Sequence, residues 1–270
     1  MLAITNLASL NDRRWRRLRS WAIAAILLSL FGCAGPPEMD AGVRGPAGTW
    51  AGRRIGPPPA PKPAVRQAMI RLAEREWSYF GQQRVVYTKS NESIPHVGYW
   101  EDDDGSRSSR VNLYWRAVGK TGLAGYDCQE PWSAAFASWV MRTAGVPEDQ
   151  FPGSPAHWIY LSKLIEWSDG PGRWFVPRAI NAYRPRPGDL ICASKDLARG
   201  SAVAGQLQPW ALHNARMHCD LVVKSEGRSL EAIGGNVRNS VSRSILELDG
   251  QGHLQPVPNR PWVLVMENRL

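Results

Sequence analysis

A serine stands at the start of a predicted helix, where negative charge is stabilised. The segment EPWSAAFASWVMRTAGV covers residues 130–146, and Ser133 follows Trp132 directly. A proline suits the first helical turn, the apolar residues from Phe136 onward share one face, and Gly145 ends the pattern. Ser133 therefore lies in the first turn, where the helix dipole and the free backbone N–H groups favour a developing anion.

A histidine and an aspartate share one face of a predicted strand further along the chain. The segment HCDLVV covers residues 218–223. Side chains alternate along a strand, so His218 and Asp220 point the same way and Cys219 points to the opposite face. A carboxylate beside an imidazole can pair with it and hold its orientation. The sequence thus offers a serine on a helix and a histidine–aspartate pair on a strand.

Strands and helices that could position these side chains surround them in the sequence. PRPGDLIC at 185–192 predicts a turn and a strand, and SLEAIGGNVRNSVSRSIL at 229–246 predicts a strand that reaches a Gly-Gly turn and Asn236. Upstream, VRQAMIRLAEREWSYF at 65–80 has apolar residues at helical spacing. The mixture of elements predicts a single α+β domain.

The order of these pieces resembles that of the CHAP and NlpC-type peptidoglycan hydrolases. The order is a helix with the nucleophile, a strand after GD, a strand beginning with histidine and a strand ending at GGN, and it covers about residues 125–247. The resemblance implies a papain-like core in which the nucleophile helix packs on an antiparallel sheet. More narrowly, PWSAAFASWVMR, FPGSPAH and HCDLVV together resemble a bacterial family known only as domain of unknown function 2272. That family brings no activity with it.

The resemblance implies roles for particular residues. Ser133 takes the nucleophile position, which cysteine usually fills in these hydrolases, and His218 takes that of the general base. Asn236 takes the position that orients the imidazole, and Asp220 competes with it for that role. A serine hydroxyl is far less acidic than a thiol, so it needs concerted base catalysis and an oxyanion hole. An active serine hydrolase and a non-catalytic wall-binding descendant both remain open.

Other residues near these segments are candidates for the same cleft. Trp132 flanks the nucleophile position. His157, in FPGSPAHWIYL, precedes a helix expected to pack near the first, and it is either a cleft residue or a solvated turn histidine. The segment 195–217 is too long for a simple hairpin connection and predicts a flap over the cleft. Trp210 and His213 are its expected ligand-contacting residues.

The first 33 residues are typical of an export signal. A basic stretch, NDRRWRRLRS, precedes the apolar WAIAAILLSLF, which is shorter than the roughly 20 residues that span a bilayer. The ending LFGC resembles a lipobox, which implies a lipidated Cys33. Ala34 stands where an inner-membrane retention signal would have aspartate, so the resemblance implies an outer-membrane lipoprotein facing the periplasm. A cleaved secretory signal, giving a soluble periplasmic protein, and an uncleaved anchor are the alternatives.

The remaining chain divides into a predicted linker and a predicted domain. Residues 34–64 are rich in proline and glycine, which indicates a linker, and residues 65–270 hold the expected papain-like domain. Three cysteines remain after Cys33, so at most one pair can form. The resemblance places the strands of Cys192 and Cys219 side by side. Cys128, five residues before Ser133, is a displaced nucleophile if its loop folds back, or else a buried or paired cysteine.

Composition and charge exclude some classes of function. The chain is 43% hydrophobic and 21% charged, which is ordinary for a globular protein. Residues 1–32 carry five arginines and one aspartate, so the formal net charge of +9 becomes +5 for the remainder. This modest basicity has no clustered stripe, and nucleic acid is not an expected partner. The acidic turn EDDDGS at 101–106 lacks the ligand spacing of an EF-hand, so neither a metal nor a cofactor is expected.

The sequence as a whole predicts a cell-envelope lipoprotein that acts on peptidoglycan or its stem peptides. If the chain is an enzyme, the expected reaction is hydrolysis of an amide in the peptide stem, by an endopeptidase or amidase. A binding or scaffold protein with the same fold is the alternative. A serine esterase or acyltransferase is the third interpretation.

Overall fold

Eight strands form one sheet at the centre of the computed structural model, which describes residues 48–198 and 207–270. Across the sheet the order is β4-β3-β9-β8-β7-β6-β10-β5. Two short strands, β1 and β2, pair separately. The strands are β1 (Thr49–Trp50), β2 (Arg53–Arg54), β3 (Arg84–Tyr87), β4 (Glu92–His96), β5 (Phe175–Arg178), β6 (Leu190–Ala193), β7 (His218–Glu226), β8 (Ser229–Val237), β9 (Ser240–Glu247) and β10 (Trp262–Asn268).

Five α-helices accompany the sheet in the described part of the chain. They are α1 (Pro63–Tyr79), α2 (Gly105–Arg116), α3 (Ser133–Thr143), α4 (His157–Glu166) and α5 (Lys195–Ala198), with short 3-10 turns at Trp167–Asp169 and Pro209–Leu212. The α+β class predicted from the sequence is confirmed. The sheet is mixed rather than wholly antiparallel, because β3 runs parallel to β9.

The acidic turn at 101–106 has a local structural role. Asp104 precedes α2, and its carboxylate accepts hydrogen bonds from the backbone N–H groups of Ser106 and Arg107, both at 2.8 Å. Such a cap satisfies donors that a helix N-terminus otherwise leaves unpaired. The carboxylate at position 104 therefore starts a helix.

The two faces of the sheet bury different side chains, and α3 lies on one of them. Cys219 and Leu221 of β7 belong to the core that includes α3, whereas Val222 belongs to the core on the opposite face. This alternation agrees with the period of two expected for a strand. It leaves His218 and Asp220 on the other side of β7 from Cys219.

The packed part of the chain begins before α1. Trp50 and Ile55 are both 2% exposed and belong to the core around α3. The Trp50 indole N–H donates to the carbonyl of Leu207 at 2.8 Å. These residues fall within the range 34–64 that the sequence assigns to a linker, and residues 44–270 form one compact unit.

The export signal and Cys33 lie outside the described residues. Within residues 48–198 and 207–270, no helix has the length and hydropathy needed to cross a bilayer.

Candidate functional site

Ser133 is the first residue of α3, and the packing of its neighbours fixes its position. Trp132 is 1% exposed, its ring stacks on Tyr114 with centroids 5.5 Å apart, and its indole N–H donates to Glu101. Gly235 of β8 lies so close that a methyl group there would come 2.6 Å from the Trp132 ring. The N-terminus of α3 is therefore held against β8, and Ser133 is only 7% exposed.

The hydroxyl of Ser133 contacts the first residue of another helix. Ser133 Oγ lies 2.7 Å from Nε2 of His157, which begins α4 and is 3% exposed. On its other side, His157 Nδ1 lies 2.5 Å from the hydroxyl of Tyr160, one helical turn further along. The three side chains form a continuous hydrogen-bonded chain. The sequence predicts that His157 is either a cleft residue or a solvated turn histidine. In the structure it is buried against Ser133.

A second histidine is bound to a buried carboxylate. His218 Nε2 lies 2.6 Å from Asp220 Oδ1, and the hydroxyl of Ser244 donates to Asp220 Oδ2 at 3.0 Å. Gly234 of β8 makes room for this pair, since a methyl group there would lie 1.8 Å from the carboxylate oxygen. Asp220 is fully buried, whereas the His218 side chain keeps 19% of its surface exposed.

The two histidines meet, which joins the serine to the carboxylate in one cluster. The ring centroids of His157 and His218 are 5.5 Å apart. Burial, together with the charge that His218 carries when it is protonated, holds the pKa of His157 well below its usual value. Burial and the charge of Arg260 also lower the pKa of His218, although Asp220 acts in the opposite direction. Both rings are therefore neutral at neutral pH.

Asp220 carries the negative charge of the cluster. Burial acts to raise the pKa of Asp220. The charge of His218, which is protonated in the acidic range where Asp220 titrates, the charge of Arg260, and hydrogen bonds from His218 and Ser244 outweigh burial and lower the pKa to about 2. Arg260 is held nearby, where its Nε donates to the hydroxyl of Tyr87 at 3.1 Å. The site thus combines an ionised carboxylate with two neutral imidazoles.

Asn236 lies at an irregularity in β8. The register between β8 and β9 shifts between Gly234 and Val237, and the backbone of Asn236 is in the left-handed region, with φ of 54°. Bulges of this kind redirect a side chain and are common beside functional sites. Within the described residues no hydrogen bond joins the half-buried Asn236 side chain to His218. The carboxylate of Asp220 holds that imidazole instead.

The three cysteines of the domain are in different chemical states. Cys192 of β6 and Cys219 of β7 are paired in register and form a disulfide. Cys128 is a free, exposed thiol whose Sγ donates to Asp102 Oδ2 at 3.5 Å. Partial desolvation and the neighbouring carboxylate of Asp102 raise the pKa of the Cys128 thiol. It is therefore less readily ionised than an ordinary cysteine.

The segment predicted to be a flap is described only in part. Residues 199–206 are outside the described chain. After them, the turn at Pro209–Leu212 packs along α4, where the Ser162 hydroxyl donates to the Pro209 carbonyl at 3.1 Å. Trp210 is 77% exposed, and His213 pairs with the ring of Trp158 at 4.9 Å. His213 therefore lies beside the residue that follows His157.

Sequence reasoning missed three members of the cluster. Tyr160 lies three residues after His157 on the same helix, a spacing that places two side chains on one face, so the sequence held a usable signal. Ser244 of β9 donates a hydrogen bond to Asp220, and the charge of Arg260, in the loop before β10, lowers the pKa of Asp220. No spacing along the chain indicates either relation.

A protein-family model matches the part of the chain that contains the whole cluster. In the described residues, no group of three or more histidine, cysteine or acidic side chains is arranged to hold a metal ion. No curated protein and no solved structure matches this chain. A family model, described as an uncharacterised protein conserved in bacteria, matches residues 96–267, which include Ser133, His157 and His218. The narrower resemblance is thereby confirmed, and the chain belongs to the bacterial family of domain of unknown function 2272, whereas no comparison supports the resemblance to CHAP and NlpC-type hydrolases.

Proposed function

We propose that this chain is an exported serine hydrolase of the bacterial cell envelope that cleaves an amide in the peptide stem of peptidoglycan. Ser133 is the nucleophile and His218 is the general base. The observation that carries the proposal is the pairing of His218 with the buried carboxylate of Asp220, one ring away from the serine hydroxyl.

The pairing with Asp220 decides which nitrogen of His218 is basic. With a pKa of about 2, Asp220 is ionised and can only accept a hydrogen bond. The proton of neutral His218 therefore lies on Nε2, and the lone pair lies on Nδ1. Within the described residues no hydrogen bond occupies Nδ1, and part of the ring is exposed. His218 is thus a neutral imidazole whose orientation is fixed by a carboxylate, as the role of general base requires.

The N-terminus of α3 supplies what a serine nucleophile needs in addition. Backbone N–H groups in the first turn have no partner within the helix, and they favour the negative charge of a tetrahedral intermediate. Because Ser133 Oγ contacts His157 in this structure, substrate binding must turn the hydroxyl toward His218. Oγ then attacks the carbonyl carbon, and Nδ1 takes the serine proton and passes it to the leaving amine. Water hydrolyses the resulting ester and restores Ser133.

The substrate class is supported by the sequence and not by a bound ligand. The predicted export signal favours a location in the cell envelope. The order of helix and strands resembles that of peptidoglycan hydrolases, and the net charge of +5 after residue 32 favours an anionic polymer. A papain-like core belongs to the same proposal, since α3 packs on the antiparallel strands β7 and β8.

The proposal is tested on residues 44–270, which form one compact unit and keep the buried Trp50 and Ile55. The protein is incubated with intact peptidoglycan and defined muropeptides, and the products are identified by mass spectrometry. We expect new stem-peptide ends with the wild type and with Cys128→Ala, and none with Ser133→Ala or His218→Gln. Product formation by Ser133→Ala would remove the serine from the mechanism.

A second function is favoured by the burial of the cluster. Ser133 and His157 are 7% and 3% exposed, as expected of a protein that has lost its catalytic activity and binds wall peptides without cleaving them. In that case no variant yields product, while wild type and Ser133→Ala co-sediment equally with peptidoglycan. Product from Ser133→Cys alone would show that only the nucleophile has been lost. Activity confined to ester probes would instead indicate an esterase or acyltransferase.

A further inference from the structure

Two hydroxyl groups contact the same imidazole in this site, one at each ring nitrogen. Ser133 Oγ lies 2.7 Å from His157 Nε2, and the Tyr160 hydroxyl lies 2.5 Å from His157 Nδ1. A neutral imidazole has one N–H donor and one acceptor nitrogen. One hydroxyl must therefore donate to the ring while the other accepts from it. The direction decides whether His157 can take a proton from the serine.

Burial favours Tyr160 as the donor. Tyr160 is completely buried, and His157 Nδ1 is the only acceptor within hydrogen-bonding distance of its hydroxyl among the described residues. A buried O–H without an acceptor is energetically unfavourable, because it has lost its hydrogen bond to water and gained none in return. Ser133 keeps 7% of its surface exposed and lies at the helix N-terminus, so its O–H can be directed elsewhere. The phenol is also the more acidic of the two hydroxyls.

We infer that Tyr160 donates to His157 Nδ1 and thereby fixes His157 as a hydrogen-bond donor to Ser133 Oγ. In this tautomer Nε2 carries the proton of the ring and has no lone pair to accept another. His157 is then a positioning residue that holds the serine oxygen, and it is not the base. The Ser133 proton remains free to go to the lone pair on His218 Nδ1.

The arrangement gives the two histidines opposite tasks. His218 is held by an ionised carboxylate, which accepts a hydrogen bond from Nε2–H and leaves the basic Nδ1 without a hydrogen bond to any described residue. His157 is held by a protonated phenol, which donates to it and leaves an N–H outward. An N–H that points at Ser133 Oγ stabilises negative charge as that oxygen loses its proton. This role in the reaction rests on the proposed function, whereas the direction of the hydrogen bonds does not.

The direction can be measured without a substrate. Residues 44–270 are labelled with nitrogen-15 at their five histidines, and correlations between ring protons and nitrogens are recorded at neutral pH. His157→Gln identifies the signals of His157. We expect a protonated Nε2 and an unprotonated, hydrogen-bonded Nδ1 for His157. A protonated Nδ1 would overturn the inference, whether or not the protein hydrolyses anything.

Removal of the tyrosine hydroxyl tests its control over the ring. In Tyr160→Phe the Nδ1 acceptor loses its donor, so we expect the His157 nitrogen signals to shift toward a mixture of tautomers. Tyr183→Phe, which alters another buried tyrosine, is the matched control and leaves those signals unchanged. Unchanged His157 signals in Tyr160→Phe would also overturn the inference. If Tyr160→Phe does not fold, the wild-type spectrum decides alone.

A kinetic measurement separates positioning from a structural effect. Where wild type cleaves a muropeptide or an ester probe, Tyr160→Phe should lower kcat about tenfold with KM unchanged, because the lost contact orients the nucleophile and does not bind substrate. An equal kcat in the two proteins would contradict the positioning role. A protein with no activity but with the expected His157 tautomer would count against the proposed function and leave the hydrogen-bond assignment standing.

Discussion

The chemistry of the site depends on which group holds each imidazole. A carboxylate can only accept a hydrogen bond, whereas a phenol can donate or accept, so Asp220 leaves a lone pair free on Nδ1 of His218 and Tyr160 leaves an N–H free on Nε2 of His157. Asp220 can do this only while it stays ionised in a fully buried position. Its hydrogen bonds to His218 and Ser244 and the charge of Arg260 maintain that state. The cluster is therefore a structural element as well as a candidate site.

Replacement of the carboxylate should cost stability with a defined dependence on pH. The folded pKa of about 2 lies below the ordinary value of 3.8, so the contribution of Asp220 is fully present above that value and is lost as pH falls toward 2. We expect Asp220→Asn to lower the free energy of unfolding by about 2–4 kcal/mol at neutral pH, as measured by urea denaturation. The difference in free energy of unfolding between Asp220→Asn and wild type should become smaller at acidic pH.

An exposed ion pair provides the control for this substitution. Lys224 and Glu226 lie 3.1 Å apart at the end of β7, and the Glu226 side chain is 73% exposed. Glu226→Gln should change the free energy of unfolding by less than about 0.5 kcal/mol. If Asp220→Asn is equally mild, the buried carboxylate does not hold the cluster together.

At the scale of elements, the site exists because helices and strands approach each other without intervening side chains. The pair Gly234 and Gly235 lies where β8 passes beneath His218 on one face and α3 on the other. A methyl group at Gly235 would lie 2.5 Å from Phe136 Cβ. The disulfide between Cys192 and Cys219 ties β6 to β7 at the start of the strand that carries His218. Backbone spacing, rather than one residue's chemistry, thus brings serine and histidines together.

Gly235→Ala should separate α3 from β8. Neither Trp132 nor Phe136 can move readily, because both are buried in the main core. Overpacking of this kind costs about 1–3 kcal/mol, so we expect a lower free energy of unfolding and a weakened contact between Ser133 and His157. Thermal and urea unfolding give the stability, and the His157 nitrogen signals report the contact.

Gly122→Ala is the matched control, since a methyl group there would meet no atom within 4 Å and its backbone is not left-handed. It should leave both measurements unchanged. A Gly235→Ala protein as stable as wild type would show that α3 and β8 can separate without cost.

At the scale of the whole molecule, local sequence patterns predicted individual helices and strands, but they did not predict contacts between residues that are far apart in the sequence. The helix at Ser133, the strands on either side of the disulfide and the alternation at Cys219 all follow from short-range periodicity, and the structure contains them. The contact between Ser133 and His157 depends on where the tertiary fold places the first residue of α4 relative to that of α3, which no spacing encodes. The burial of Trp50 depends on a partner 157 residues away. The proline- and glycine-rich sequence around Trp50 therefore contains no pattern that predicts this burial.

A buried carboxylate remote from the cluster should govern how global stability depends on pH. Asp189, from the segment PRPGDLIC, is fully buried and accepts backbone hydrogen bonds from Arg186 and Asn268, both at 2.7 Å. Burial outweighs these bonds and, with the nearby charge of Glu267, raises the pKa of Asp189 to about 7. The folded protein therefore keeps a proton at Asp189 that the unfolded chain has already lost above pH 3.8.

The sign of the effect follows from that difference in bound protons. Between about pH 4 and pH 7 the folded state binds more protons at Asp189, so its contribution to stability falls as pH rises and levels off above 7. His157 and His218, whose pKa values are lowered, act in the opposite sense near pH 6. Asp189→Asn isolates the carboxylate, because it removes that titration and leaves the histidines in place. Urea unfolding across this range should show Asp189→Asn gaining stability relative to wild type as pH rises, by several kcal/mol in total. A constant difference would mean that Asp189 is ionised in the folded protein, held by its backbone donors and by Tyr183.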